Sequence, residues 1–202
     1  LPLQMILPFI LEEAEAMHKA IPAFKLGQPI GDGIGPMVVG KMMLDSKKES
    51  VAFQTILGET QYDQRKLLLL KAEGPGSTVG RPGDAMEAIL SKNKPDIIIM
   101  VDAALKMEGE DSASIAQGFG AAIGGIGTER FQIEDVATKN NIPIFAIVIK
   151  QSVKEAITLM TKDIADKADI VRSQIYEMIQ DNTKPGQTVL LIGVGNTMGV
   201  PQ

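Results

Sequence analysis

The stretch Lys94-Pro95-Asp96-Ile97-Ile98-Ile99-Met100-Val101-Asp102-Ala103-Ala104-Leu105 constrains the fold more than any other. A helix-like segment, Asp84 to Lys92, leads into it, and Pro95 ends that helix. Ile97 to Val101 then run without a charge or a polar residue. A short, β-branched, continuous run of this kind fits a strand covered on both faces, as in a parallel sheet, and not the alternation of a half-exposed strand. Asp102 follows at the strand's carboxyl end. In open α/β sheets that end is where ligands bind and chemistry sits, so Asp102 is a candidate catalytic residue.

Further segments follow the same logic. Ile144 to Ile149 reads as a second buried strand and Thr188 to Val194 as a third, while Val51 to Leu57 and Lys66 to Ala72 read as two more. Pro8 to Ala20 reads as an amphipathic helix with Phe9, Ile10, Ala14 and Met17 on its inner face, followed by a short strand at Ala23 to Leu26. Met37 to Leu44 and Phe131 to Lys139 are further helices. Val153 to Gln180 is helical with a break near Lys162 to Asp166, and it carries apolar residues at three- and four-residue spacing. Helices alternating with short apolar strands predict an α/β fold: three layers, a largely parallel sheet flanked by helices. The chain is expected to form a single domain, with residues 1–22 a helical appendage and residues 151–183 covering the sheet or forming an interface that makes a homo-oligomer.

Composition narrows the function. Net charge is -5, which argues against a general nucleic-acid binder. Aromatic residues are only 4% of the chain and Trp is absent, which leaves little for base stacking. With no cysteine there is no thiol nucleophile and no thiolate metal ligand, and a reducing cytoplasmic setting fits. The one histidine, His18, has no spaced partner and reads as a surface residue. The chain opens on Leu1-Pro2 and not on Met, which reads as a piece of a longer product and leaves room for a membrane anchor upstream.

Three glycine-rich stretches frame the candidate chemistry. Gly31-Asp32-Gly33-Ile34-Gly35-Pro36 brings backbone close to a ligand and puts Asp32 just before a helix N-terminus, where an anion is stabilised. Gly74-Pro75-Gly76-Ser77-Thr78-Val79-Gly80-Arg81 follows a strand and opens a helix as a phosphate loop would, but Arg81-Pro82 stands where Lys-Ser/Thr is needed. Gly118 to Gly127 is dense in glycine and reads as a long loop over the strand ends. Asp32 and Asp102 are the candidate catalytic pair. Gly33, Gly35, Gly76, Arg81, Gly125, Gly127, Arg130 and Asn196 are candidate substrate contacts. The two aspartates could instead hold a hard divalent cation, with Glu73 or Glu108 adding a ligand.

The segment Ala85 to Ile157 resembles the spore germination protease family and, more distantly, the hydrogenase maturation peptidases. The residues that carry the likeness are Lys94-Pro95-Asp96, Val101-Asp102-Ala103-Ala104-Leu105, Ser114-Ile115-Ala116-Gln117, Gly125-Ile126-Gly127-Thr128-Glu129-Arg130, Ile142-Pro143-Ile144-Phe145-Ala146-Ile147 and Val153-Lys154-Glu155-Ala156. Gly31 to Val39 is similar to the acidic motif of both groups. The resemblance implies a phosphorylase/hydrolase-like fold of the maturation-peptidase type. It also implies a protein or peptide substrate and functional acidic positions at Asp32 and Asp102. Leu191-Ile192-Gly193-Val194-Gly195-Asn196 matches the family's first strand but lies at the far end of the chain, which implies a circularly permuted or rearranged relative. The hydrogenase peptidases' nickel-recognising histidine has no counterpart, since no histidine follows His18. The chain as a whole also looks like an archaeal family of unknown function. The alternative is a non-catalytic binding or scaffold protein on the same fold.

Overall fold

The computed structural model describes residues 2–123 and 128–201. Its centre is a mixed seven-stranded sheet in the order β1-β2-β3-β7-β4-β6-β5. The strands are β1 (Lys48–Ala52), β2 (Thr55–Tyr62), β3 (Arg65–Ala72), β4 (Ile97–Leu105), β5 (Ile115–Phe119), β6 (Ile144–Gln151) and β7 (Thr188–Gly193). The four inner strands, β3, β7, β4 and β6, run parallel. β1, β2 and β5 are added antiparallel at the margins. The sheet is therefore parallel where it is buried and antiparallel where it meets solvent, as the cost of covering both faces requires.

The inner strands divide their side chains cleanly. Leu67, Leu69, Ile97, Ile99, Val101, Val189 and Leu191 face one way and pack under α2 (Ile34–Met42) and α6 (Lys162–Asn182). Leu68, Leu70, Ile98, Met100, Leu190 and Ile192 face the other way and pack under α3 (Pro82–Leu90) and α4 (Thr128–Lys139). Successive residues pointing to opposite faces, all of them apolar, make two cores from one strand sequence.

Local chemistry sets the boundaries. A capping box starts α5 (Val153–Ile157): Ser152 Oγ accepts from Glu155 N, and Glu155 Oε2 accepts from Ser152 N. Thr161 caps α6, so the predicted break in that helix lies at residues 158–161, between α5 and α6. Buried Arg65 donates to Thr183 Oγ1 at 2.8 Å and to Thr183 O at 2.9 Å, tying the start of β3 to the end of α6. The α6 face bearing Ile164, Ala168, Val171, Ile175 and Ile179 is buried against the sheet.

Several sequence expectations need correction. Ala23 to Leu26 is not a strand; it is the end of α1 (Pro2–Leu26). The face that α1 turns inward carries Ala16, Ala20 and Ala23, whereas Phe9, Ile10 and Met17 are exposed. Ala23 packs with Ile30 and Met198. Val51 to Leu57 is not one strand but a hairpin that turns at Phe53-Gln54, with Gln54 in the left-handed region at φ 48°. Gly118, expected in a loop, sits in β5. Gly125 and Gly127 lie outside the described residues.

Candidate active site

The site is built where β7 ends beside β4. Asp102 was expected at the end of its strand, but β4 runs on to Leu105 because β6 continues to pair with it after β7 has stopped. Val194 N donates to Val101 O at 2.8 Å, which ties the end of β7 to β4. The 3-10 turn Gly31–Gly33 and the first turn of α2 pack at this junction. Gly35 has to be glycine: a Cβ there would overlap the carbonyl oxygens of both Val194 and Val101. Gly195, at φ +133°, likewise leaves room for the Asp32 carbonyl. The acidic turn and the Gly193-Val194-Gly195-Asn196 segment, at opposite ends of the sequence, thus fold against each other.

Asp32 Oδ2 accepts a hydrogen bond from Asn196 N at 2.8 Å. Burial pushes its carboxyl above the ordinary aspartate range, and the Asn196 N–H partly offsets that. Asp102 is buried, and its Oδ1 accepts from Ala103 N at 2.7 Å. Both aspartates line one cavity of about 420 Å³. Apolar side chains make up most of its remaining wall, among them Ala103, Leu105, Ala121 and Val148. Arg130 stands at its rim, with Nε 3.1 Å from Glu134 Oε1.

Gln151 also lines this cavity and was not anticipated from the sequence. It is buried at the end of β6, and its Nε2 donates to Gly31 O at 3.0 Å. Its Oε1 is buried without a hydrogen-bond partner among the described residues. In the sequence Gln151 follows Lys150 and precedes Ser152, so it does not stand out as Asp102 does after the apolar run Ile97 to Val101.

The other predicted contacts are dispersed. Gly33 packs against Asn196 O. Asn196 joins Asp32 through its backbone, while its side chain meets Ser77 Oγ at 3.0 Å. Gly76 lines a separate hollow with Ser77, Thr78 and Glu73. Arg81 is exposed, 3.6 Å from Asp84, and is not among the residues lining the cavity. Among the described residues no group of three or more His, Cys, Asp or Glu comes together to hold a metal, so Glu73 and Glu108 do not complete a ligand set with the aspartate pair. A third buried charge lies at the same end of the sheet. Lys71 Nζ donates to Ala72 O at 3.0 Å, and burial, with help from Lys48 and against Glu73, lowers its pKa to about 8.

Residues 30–201 match the family described as the C-terminal domain of unknown function DUF1512. The chain belongs to that family. Comparison with curated proteins yields no match. The matched DUF1512 region holds every residue of the cavity described above and begins after α1. No helix among the described residues is long and apolar enough to cross a membrane.

Proposed function

We propose that this DUF1512 domain is a peptidase-type hydrolase that uses Asp32 and Asp102 as its working carboxylates. One observation carries the reading: two aspartates far apart in the chain line a single apolar-walled cavity at the carboxyl ends of parallel strands. The likeness of both acidic motifs to those of the germination proteases and, more distantly, the hydrogenase maturation peptidases supports a peptide as substrate, on a fold of the maturation-peptidase type. Burial favours the protonated form of Asp32, so it is assigned the acid role. Water adds to the carbonyl carbon and gives its proton to Asp102, while Asp32 protonates the carbonyl oxygen. On collapse, the adduct returns a proton to Asp32, Asp102 passes its own to the leaving amine, and both groups are restored. The same pair could present oxygen ligands to a divalent cation, with water or substrate filling the remaining positions.

The test is hydrolysis of a fluorogenic peptide library by the wild type, Asp102→Asn and Asp32→Asn, each with chelator and with added divalent ions. Either substitution is expected to lower the rate by about 10²–10⁴-fold, the range for loss of a general acid or base. Wild-type activity is expected to fall as pH rises through the Asp32 pKa. No cleavage by the wild type under any condition, or cleavage that survives both substitutions, would sink the proposal. A second reading, a binding protein on the same fold, draws on the Asp32–Asn196 bond, since a carboxylate engaged there also serves to join two loops.

A further inference from the structure

The two edges of the sheet are built differently. β1 carries Lys48 and Glu49, and its pairing shifts register between Ser50 and Ala52. Charge and irregularity are how a sheet edge is kept from pairing with another chain. At the other edge β5, Ile-Ala-Gln-Gly-Phe, has no charge, no proline and a regular register against β6. Among the described residues no strand pairs with its outer side.

The outer side carries usable groups. Lys150 N donates to Ser114 O at 2.8 Å, and Gly120 N donates to Ile144 O at 3.0 Å. By the alternation of an antiparallel ladder, the amides of Ala116 and Gly118 then face β6, and the N–H and C=O groups of Ile115, Gln117 and Phe119 point outward. Beside this edge, on the α6 face of the sheet, lies a cavity of about 440 Å³. Its apolar part is Phe119, 86% exposed, with its ring 5.2 Å from that of Phe145. Its polar part is Glu177, Asp181 and Gln174, whose Oε1 is buried without a partner among the described residues. None of its lining residues is a Lys, Arg or His, and the last turn of α6 contains no basic residue to balance the helix's negative end.

We infer that this edge and groove form a docking site for an extended basic segment of a partner protein, which adds as a strand to β5. Alternate side chains of such a strand lie roughly 7 Å apart. Glu177 and Asp181, one helical turn apart, match that spacing. One apolar side chain would cover Phe119, and a Lys or Arg on the same face would meet the two acids. Charge disfavours a second copy as the occupant. Two β5 strands paired antiparallel across a two-fold axis would place both copies' Glu177 and Asp181 on the same face of the joined sheet, like charge toward like charge. The site lies on the opposite face of the sheet from Asp102, and the inference does not depend on hydrolysis there.

The test uses two fluorescein-labelled eight-residue peptides, one alternating valine with lysine and the other valine with glutamate. Binding is read by anisotropy, amide hydrogen exchange and light scattering. The lysine peptide is expected to bind and to slow exchange at Ile115, Gln117 and Phe119. The double substitution Glu177→Lys, Asp181→Lys is expected to weaken binding at least about tenfold at an unchanged melting temperature, since both positions are on the surface of α6. Gln117→Pro removes an outward N–H without a bond to β6 and is expected to abolish binding. Three results would each overturn the inference: no binding of the lysine peptide, equal binding of both peptides, or a dimer that Gln117→Pro dissociates, which would assign the edge to a second copy.

Discussion

Asp102 and Asp32 line the same cavity but are held in different ways. Asp102 sits within a strand. It pairs with Val148 of β6, and the residue before it, Val101, pairs with Gly193 of β7. The ladder fixes its backbone on both sides. Asp32 lies on a three-residue turn with no ladder of its own. Its place is set by separate segments that converge: Asn196 N on its carboxylate, Gln151 Nε2 on Gly31 O, and Thr158 O, which accepts from Gly31 N at 3.2 Å. The pair therefore combines one aspartate whose backbone is held in the ladder with one whose backbone is held by converging loops, and the second is the one that contacts across those loops should move.

The strongest way to break this contrast is Gly35→Val. Its side chain would drive the acidic turn off the junction of β4 and β7, at a cost of about 3 kcal/mol or more for overpacking against backbone. Urea denaturation reads that loss; an unchanged midpoint would show that the turn is not seated as described. Gln151→Leu is expected to cost about 1 kcal/mol, because it removes one of the two donors to the Gly31 carbonyl and leaves only Ile34 N. Carbon-detected titration should show the Asp32 carboxyl move. An unmoved Asp32 titration would show that Gln151 does not help to seat the acidic turn.

The smallest effect is expected from Asp32→Asn on stability. A carboxyl whose folded pKa is raised stabilises the fold fully below its unfolded value, ~4, and loses that contribution as pH rises through the folded value. The neutral amide has no such pH dependence and can still accept from Asn196 N. The variant should therefore be more stable than wild type near pH 7, with the difference vanishing as pH falls below ~4. Denaturation midpoints at several pH values test the sign. A variant that is less stable at neutral pH would mean that the charged carboxylate is welcome in the site.

The strand segments were readable because their signal is local. A run such as Ile97 to Val101 has to be buried on both faces wherever it lies in the chain, and Asp102 at its end follows from the same rule. The hairpin turn at Phe53-Gln54 gave no comparable sign, because Val51 to Leu57 is apolar enough to look continuous. Periodicity picks out the large apolar residues of α1, whereas the face that is buried carries the small ones, Ala16, Ala20 and Ala23. Gln151 carries no such mark, because Lys150-Gln151-Ser152 is an ordinary polar strand end until the Gln151 amide is seen on Gly31 O.

By itself the sequence determined the α/β class, the buried inner strands, and the candidacy of Asp32 and Asp102, since each of these depends on residue type and short-range spacing. Only the tertiary structure decided that β7 inserts between β3 and β4, so that Asn196 reaches Asp32. It alone also separated Arg81 and Gly76 from the cavity that Gln151 joins. Strand order and loop convergence are set by the summed packing of two cores and by contacts between residues distant in the chain, and no local pattern carries that information.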